Sequence, residues 1–139
     1  MSLIGLTVPD QYTKIRIMAD EQEWSIEFYE DEDGVSPVLE FLQQLDHKTQ
    51  ARFIWSIEQL RLQNVQAHEP LVKHIEGKLW ELRRASGGNI YRLFCFFFTD
   101  RRIVFLHGFQ KKTDKTPRHE IEIAQKRMDD FLAHEEEDK

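Results

Sequence analysis

One cysteine, Cys95, in 139 residues leaves no internal disulfide to be made, so packing must hold the fold. Its place in an apolar run marks it as a small core residue rather than a nucleophile. The most apolar window, residues 93–98, is far too short to span a bilayer, and residues 1–20 carry no sustained apolar run of signal-peptide length. A soluble, unexported, cytoplasmic protein is the expectation, with no membrane partner. HExxH, CxxC and GxxxxGK are all missing, and the six histidines show no ligand spacing. Neither a metal nor another cofactor is therefore expected. No serine stands in a nucleophile-elbow context, and there is no internal repeat, low-complexity segment or dividing linker.

What is present is well mixed: 40% hydrophobic, 12% aromatic and 32% charged residues, a globular composition at a length that suits one domain. Charge, however, is sorted along the chain. Residues 78–118 hold ten Lys and Arg against three acids, a balance of +7, while the remainder holds nine against twenty-two, a balance of -13, giving the net -6. An acidic protein thus carries a basic stretch. A local cationic surface of this kind suits a phosphate-bearing partner, although charges that merely solvate edges and turns would give the same count.

The same stretch has the strongest pattern. In residues 79–84 Trp80 and Leu82 alternate with Glu81 and Arg83, the period of a half-covered strand. Ser86, Gly87, Gly88 and Asn89 supply a turn. Residues 90–98 are nearly all apolar, a central strand covered on both faces with Arg92 as its one charge. Thr99 and Asp100 form a two-residue hairpin candidate, with Arg101 and Arg102 solvated at its tip, and residues 103–109 form a third strand that leaves the sheet through Gly108 into a basic loop. Upstream, residues 24–30 alternate as a first strand, Ser36 and Pro37 open a helix to about Leu45, and Asp46 caps a second helix with Phe53, Ile54, Ile57 and Leu60 inward and Arg52, Glu58 and Arg61 outward. Residues 64–77 read as irregular, with Leu71, Val72 and Ile75 packing a short turn. Thr116 and Pro117 open a last helix to about Ala133. The predicted fold is α+β, a small, mainly antiparallel sheet with two N-terminal helices on one face and a C-terminal helix. Its expected division is an N-terminal arm over 1–23 with a short strand at 12–18, a single domain over 24–134 and a solvated acidic tail over 135–139. Met18 is itself a candidate start.

This layout, together with LWELR (79–83), YRLF (91–94), LHGFQKKT (106–113), KTP (115–117) and EIEIAQKRMDDF (120–131), resembles the RelE/ParE toxin superfamily and, within it, the phage-related HigB-like branch. The resemblance covers roughly residues 24–131. It implies a type II toxin that cuts mRNA in the ribosomal A site, a metal-independent endoribonuclease whose partners are the ribosome, mRNA and a cognate helix-turn-helix antitoxin covering the basic face. A homodimer is compatible with it. The superfamily also contains inhibitors of DNA gyrase, and a degenerate member would only bind its antitoxin, so fold alone does not fix the reaction.

RNA cleavage by attack of the 2'-hydroxyl needs a proton acceptor, charge stabilisation at phosphorus and protonation of the leaving oxygen. Arg83, Arg92, Lys111 and Lys112 are the candidates for the catalytic set, with Lys78, Arg84, Lys115 and Arg118 as RNA-binding residues. Arg83 and Arg92 stand at family positions that are often basic, whereas Glu81 stands where some relatives have lysine. His107 is a candidate general base, with a hydrogen-bonded core role as its alternative, and the role of His119 stays open. Arg92 has an alternative too, an ion pair with Glu81 across the sheet. Trp80, Tyr91 and Phe109 suit base stacking or the core.

Overall fold

Alternation in residues 79–86 sends Trp80, Leu82 and Arg84 to one side of a strand and Leu79, Glu81 and Arg83 to the other, and the fold is built on those two faces. The computed structural model describes residues 23–62, 72–111 and 115–137. In chain order these form β1 (Ser25–Phe28), α1 (Pro37–Gln44), α2 (His47–Leu62), β2 (Val72–Glu76), β3 (Leu79–Ser86), β4 (Asn89–Phe98), β5 (Arg102–Lys111) and α3 (Arg118–Glu137). The strands make one sheet in the order β1-β5-β4-β3-β2, antiparallel except where β1 runs parallel to β5. The architecture is α+β, as the pattern predicts.

Local signals account for the helix starts. Ser36 Oγ accepts the Leu39 amide at 3.2 Å with Pro37 in the first turn, and Asp46 Oδ1 accepts the Thr49 amide at 2.7 Å. That amide and the Thr49 side chain hold the Asp46 carboxyl below its usual range. Val38, Leu39 and Leu42 of α1 and Phe53, Ile57 and Leu60 of α2 pack with Trp24, Leu82, Leu93, Cys95, Ile103 and Phe105. On the opposite side of the sheet, Ile121, Ala124 and Met128 of α3 pack with Leu79, Phe94, Phe96, Val104, Leu106 and Phe109. Strand β4 is covered on both sides, which is why it reads as an almost unbroken apolar run. Cys95 is fully buried there, and burial pushes its thiol up, which removes it as a nucleophile.

Several expectations are corrected. The stretch read as an irregular turn contains an edge strand, β2, paired antiparallel with β3. Its alternation is broken by a register shift between His74 and Glu76, which hid the period. The β4–β5 connection has three residues, Thr99, Asp100 and Arg101, since Phe98 lies opposite Arg102; Asp100 and Arg101 take φ of 59° and 58°. Arg102 is not solvated but pairs with Glu27 at 2.6 Å and with Glu135 of α3, its guanidinium 5.0 Å from the Phe98 ring. Arg61 points inward, pairing with Glu58 and, at 2.7 Å, with Glu23. The last helix runs to Glu137, so most of the presumed tail is helical. Residues 1–22, including the strand expected at 12–18 and Met18, lie outside the described residues. No helix among the described residues is long and apolar enough to cross a membrane.

Gly108 does not end β5; the strand continues to Lys111. A Cβ at Gly108 would stand 2.4 Å from Phe41 Cδ2 and 2.9 Å from Leu93 Cδ2, so the missing side chain is what lets α1 sit on the sheet. Gly108→Ala should destabilise the protein by about 1–3 kcal/mol through overpacking, read as a lower urea midpoint. An unchanged midpoint would mean that Phe41 moves aside freely.

Candidate anion-binding site

Strand register gathers the cations. On the side of the sheet facing α3, Arg83 lies opposite Arg92, Lys111 opposite Ile90 and Lys73 opposite Glu81. Lys73, Arg83, Arg92 and Lys111, from four successive strands of the sheet, line one cavity of about 380 Å³ with Ile75, Ile90 and Thr116. No carboxylate is among the described residues that line it. Lys73 and Arg83 are exposed and make no ion pair or hydrogen bond among the described residues. Three of the four catalytic candidates are thus brought together, and the fourth, Lys112, lies outside the described residues.

Arg92 is 3% exposed, and its Nη1 donates to Glu81 Oε1. Its Nε has no partner, nor has Glu81 Oε2. Arg92 therefore makes the ion pair across the sheet and lines the cavity as well; the carboxylate fixes the guanidinium while part of its donor set is still unused.

The remaining candidates are spread out. Arg84 lies on the other face of β3, its guanidinium 5.9 Å from the Trp55 ring. Lys78 is exposed in the β2–β3 turn, and Lys115 is exposed just before Thr116. Arg118, in the first turn of α3, is held by Glu76 at 2.6 Å, a pairing that raises its pKa. His107 is beyond Phe109 from Arg92 and lines no part of the cavity. Its Nε2 is 2.9 Å from Glu120 and its Nδ1 is 3.1 Å from Arg127 Nη1. Arginine can only donate, so Nδ1 accepts and Nε2–H donates to Glu120, a neutral imidazole wedged between β5 and α3. Burial holds its pKa below the ordinary value. His119 is exposed, 3.4 Å from Glu120. Trp80 and Tyr91 pack against the α1–α2 core and Phe109 stacks on His107, so these aromatics serve the core.

Lys73 was missed by sequence reasoning. The available signal was the short run VKHIE before Gly77 and Lys78, a strand leading into a tight turn. A larger cavity, about 540 Å³, is lined by Tyr29, Asp31, Glu32, Lys126, Arg127 and Asp130 among others. Its charges are mixed, and Tyr29 donates to Asp130 at 2.5 Å, which with burial pushes the phenol up to about 12. Among the described residues no group of His, Cys, Asp and Glu is arranged to hold a metal ion.

Residues 40–129 match the family described as Phage derived protein Gp49-like (DUF891). The chain belongs to that family. The Gp49-like family is part of the RelE/ParE-like toxin superfamily, and the matched span contains every residue that lines the 380 Å³ cavity. Among curated proteins none matches this Gp49-like chain.

Two outcomes are expected from these contacts. Arg92→Ala should cost about 3–5 kcal/mol, because it strands the Glu81 carboxylate away from water, whereas Arg83→Ala should stay within about 0.5 kcal/mol of the parent. Denaturant titration separates them, and equal costs would refute the buried pair. His107 has a folded-state pKa below its ordinary value near 6.5, so the unfolded chain binds more protons in that range. Its contribution is intact above 6.5 and is lost as pH falls from there toward the depressed value. The melting temperature should drop over that window, and His107→Gln, which still offers Glu120 a donor, should flatten the drop.

Proposed function

We propose that this Gp49-like chain is the toxin of a type II toxin-antitoxin pair, a HigB-like, metal-independent endoribonuclease that cuts mRNA on the ribosome. The observation that carries the reading is the convergence of Lys73, Arg83, Arg92 and Lys111 on one cavity in a chain of net charge -6. Membership in a family associated with RelE-type toxins supports it. In this mechanism the 2'-hydroxyl attacks the neighbouring phosphorus, the bond to the 5'-oxygen breaks, and a 2',3'-cyclic phosphate and a 5'-hydroxyl are left. Arg83 donates to the non-bridging oxygens as charge builds on them, and Arg92, held in the cavity wall, adds its positive charge. Lys111, with Lys112 next to it in the sequence, protonates the leaving oxygen. The antitoxin is a helix-turn-helix protein that covers the cationic face.

One observation favours a second reading, binding without cleavage. Among the described lining residues none is a histidine or a carboxylate, so none of them supplies the usual proton acceptor. Glu81 is beside it, with one oxygen unpartnered and one committed to Arg92.

Induction of the protein in a bacterium, with mRNA ends mapped during growth arrest, tests the proposal. Cleaved transcripts with 5'-hydroxyl ends are expected, and Arg83→Ala should lower cleavage by about 10²-fold, the effect of removing one charge-stabilising donor, at an unchanged melting temperature. Arrest with intact mRNA would overturn the endoribonuclease, and DNA-damage signalling in its place would favour a gyrase-directed inhibitor.

A further inference from the structure

We infer that the site grips two consecutive phosphates of a single RNA strand, and that Lys73 is the residue that holds the flanking one. The inference builds on the RNA-directed reading above. Lys73 is on β2 and Lys111 on β5, three strand-to-strand steps apart, and through the register Lys73 lines up with His107, four residues before Lys111, so their backbones stand roughly 19 Å apart at the usual sheet spacings. One phosphate would engage both ammonium groups only with both side chains stretched fully toward it, so two neighbouring phosphates fit the span better. Arg92 and Lys111 stand on the β4–β5 side, where Arg92 is pinned by Glu81 and nearly closed to water, the rigid placement that suits the reacting phosphate. Lys73 and Arg83 stand on the β2–β3 side, exposed and without partners among the described residues, and Arg83 lies opposite Arg92, so it can reach either phosphate.

Lys73 also has Glu81 directly across the strand pair, yet that carboxylate is buried, holds Arg92 with one oxygen and makes no ion pair with Lys73. An ammonium group next to an acid that does not neutralise it keeps its charge for an incoming anion. Strand β2 is the edge of the sheet, so a polymer held at Lys73 can run on past it. Ile75, next to Lys73, and Ile90, opposite Lys111, add apolar wall to the cavity, where a ribose can rest without polar demands. The cavity, walled by four strands and by Thr116 just before α3, is a recess rather than a ridge, which suits a single strand. Because Lys73 is remote from the bond that breaks, it binds substrate and transition state alike.

The test uses a hexanucleotide with 2'-deoxy sugars, which cannot be cleaved by 2'-hydroxyl attack, read by fluorescence anisotropy over a range of salt concentrations. Lys73→Ala should weaken binding about tenfold, as expected for loss of one charged hydrogen bond. The slope of log affinity against log salt should become shallower by about 0.7, the value of one contact on a single strand. Lys73→Arg should restore both. Replacing one phosphate at a time by neutral methylphosphonate should weaken the parent at two adjacent positions, and Lys73→Ala should be insensitive at one of them. In the cleavage assay Lys73→Ala should raise KM with kcat nearly unchanged, unlike Arg83→Ala. An unaltered salt slope in Lys73→Ala, sensitivity at a single phosphate, or no binding of the hexanucleotide by the parent would each overturn the two-phosphate grip. Oligonucleotide binding with these signatures but without RNA cleavage would leave the grip standing and remove the nuclease. Cleavage with an unaltered slope would do the reverse.

Discussion

Arg92 and Glu81 form an ion pair between neighbouring strands with almost no access to water. Such a pair is not chosen for stability, since two apolar side chains would fill the same space at no desolvation cost. Its effect is positional. A guanidinium in the middle of a sheet covered on both sides can face a cavity only if something compensates it from behind, and Glu81 does so with one oxygen while the Nε of Arg92 stays unpartnered. The hairpin through Gly87 and Gly88 and the unshifted pairing from Ser86 opposite Asn89 to Trp80 opposite Cys95 keep β3 and β4 in the register that makes this pair.

The charge distribution follows from the same sheet. Alternation on β3 puts Arg83 toward the cavity and Arg84 against Trp55 on the far face, so two adjacent arginines serve different surfaces. Arg61, Arg102 and Arg118 are each matched by carboxylates, whereas Lys73 and Arg83 in the cavity lining have no partner among the described residues. A segment balance of +7 thus resolves into a few residues facing one recess and several others occupied with holding helices and edges in place.

Much of the fold was legible because its signals are local. Ser36, Pro37 and Asp46 announce helix starts through hydrogen bonds made within a turn, and the apolar run of β4 announces a strand buried on both sides. Strand β2 was hidden, since a short edge strand with a register shift has no clean period, and Lys73 was hidden with it. Arg61 was read as an outward residue because helical spacing gives a direction but not the carboxylates that wait there, one of them 38 positions away. Arg83, Arg92 and Lys111 could be named as cations of interest; that they face one cavity while Arg84 and His107 do not is a matter of strand register, which no single stretch of sequence contains.

Strand β1, near one end of the described chain, lies parallel to β5 near the other, and the Arg102–Glu27 contact joins residues 75 positions apart. Closing so wide a loop is slow, and a chain leaving the ribosome cannot do it until β5 has emerged. Lys111 and Thr116, two walls of the cationic recess, emerge after Lys73, Arg83 and Arg92. The nascent polypeptide therefore carries no finished recess until β5 has emerged, and the cations of four strands converge only through that late closure.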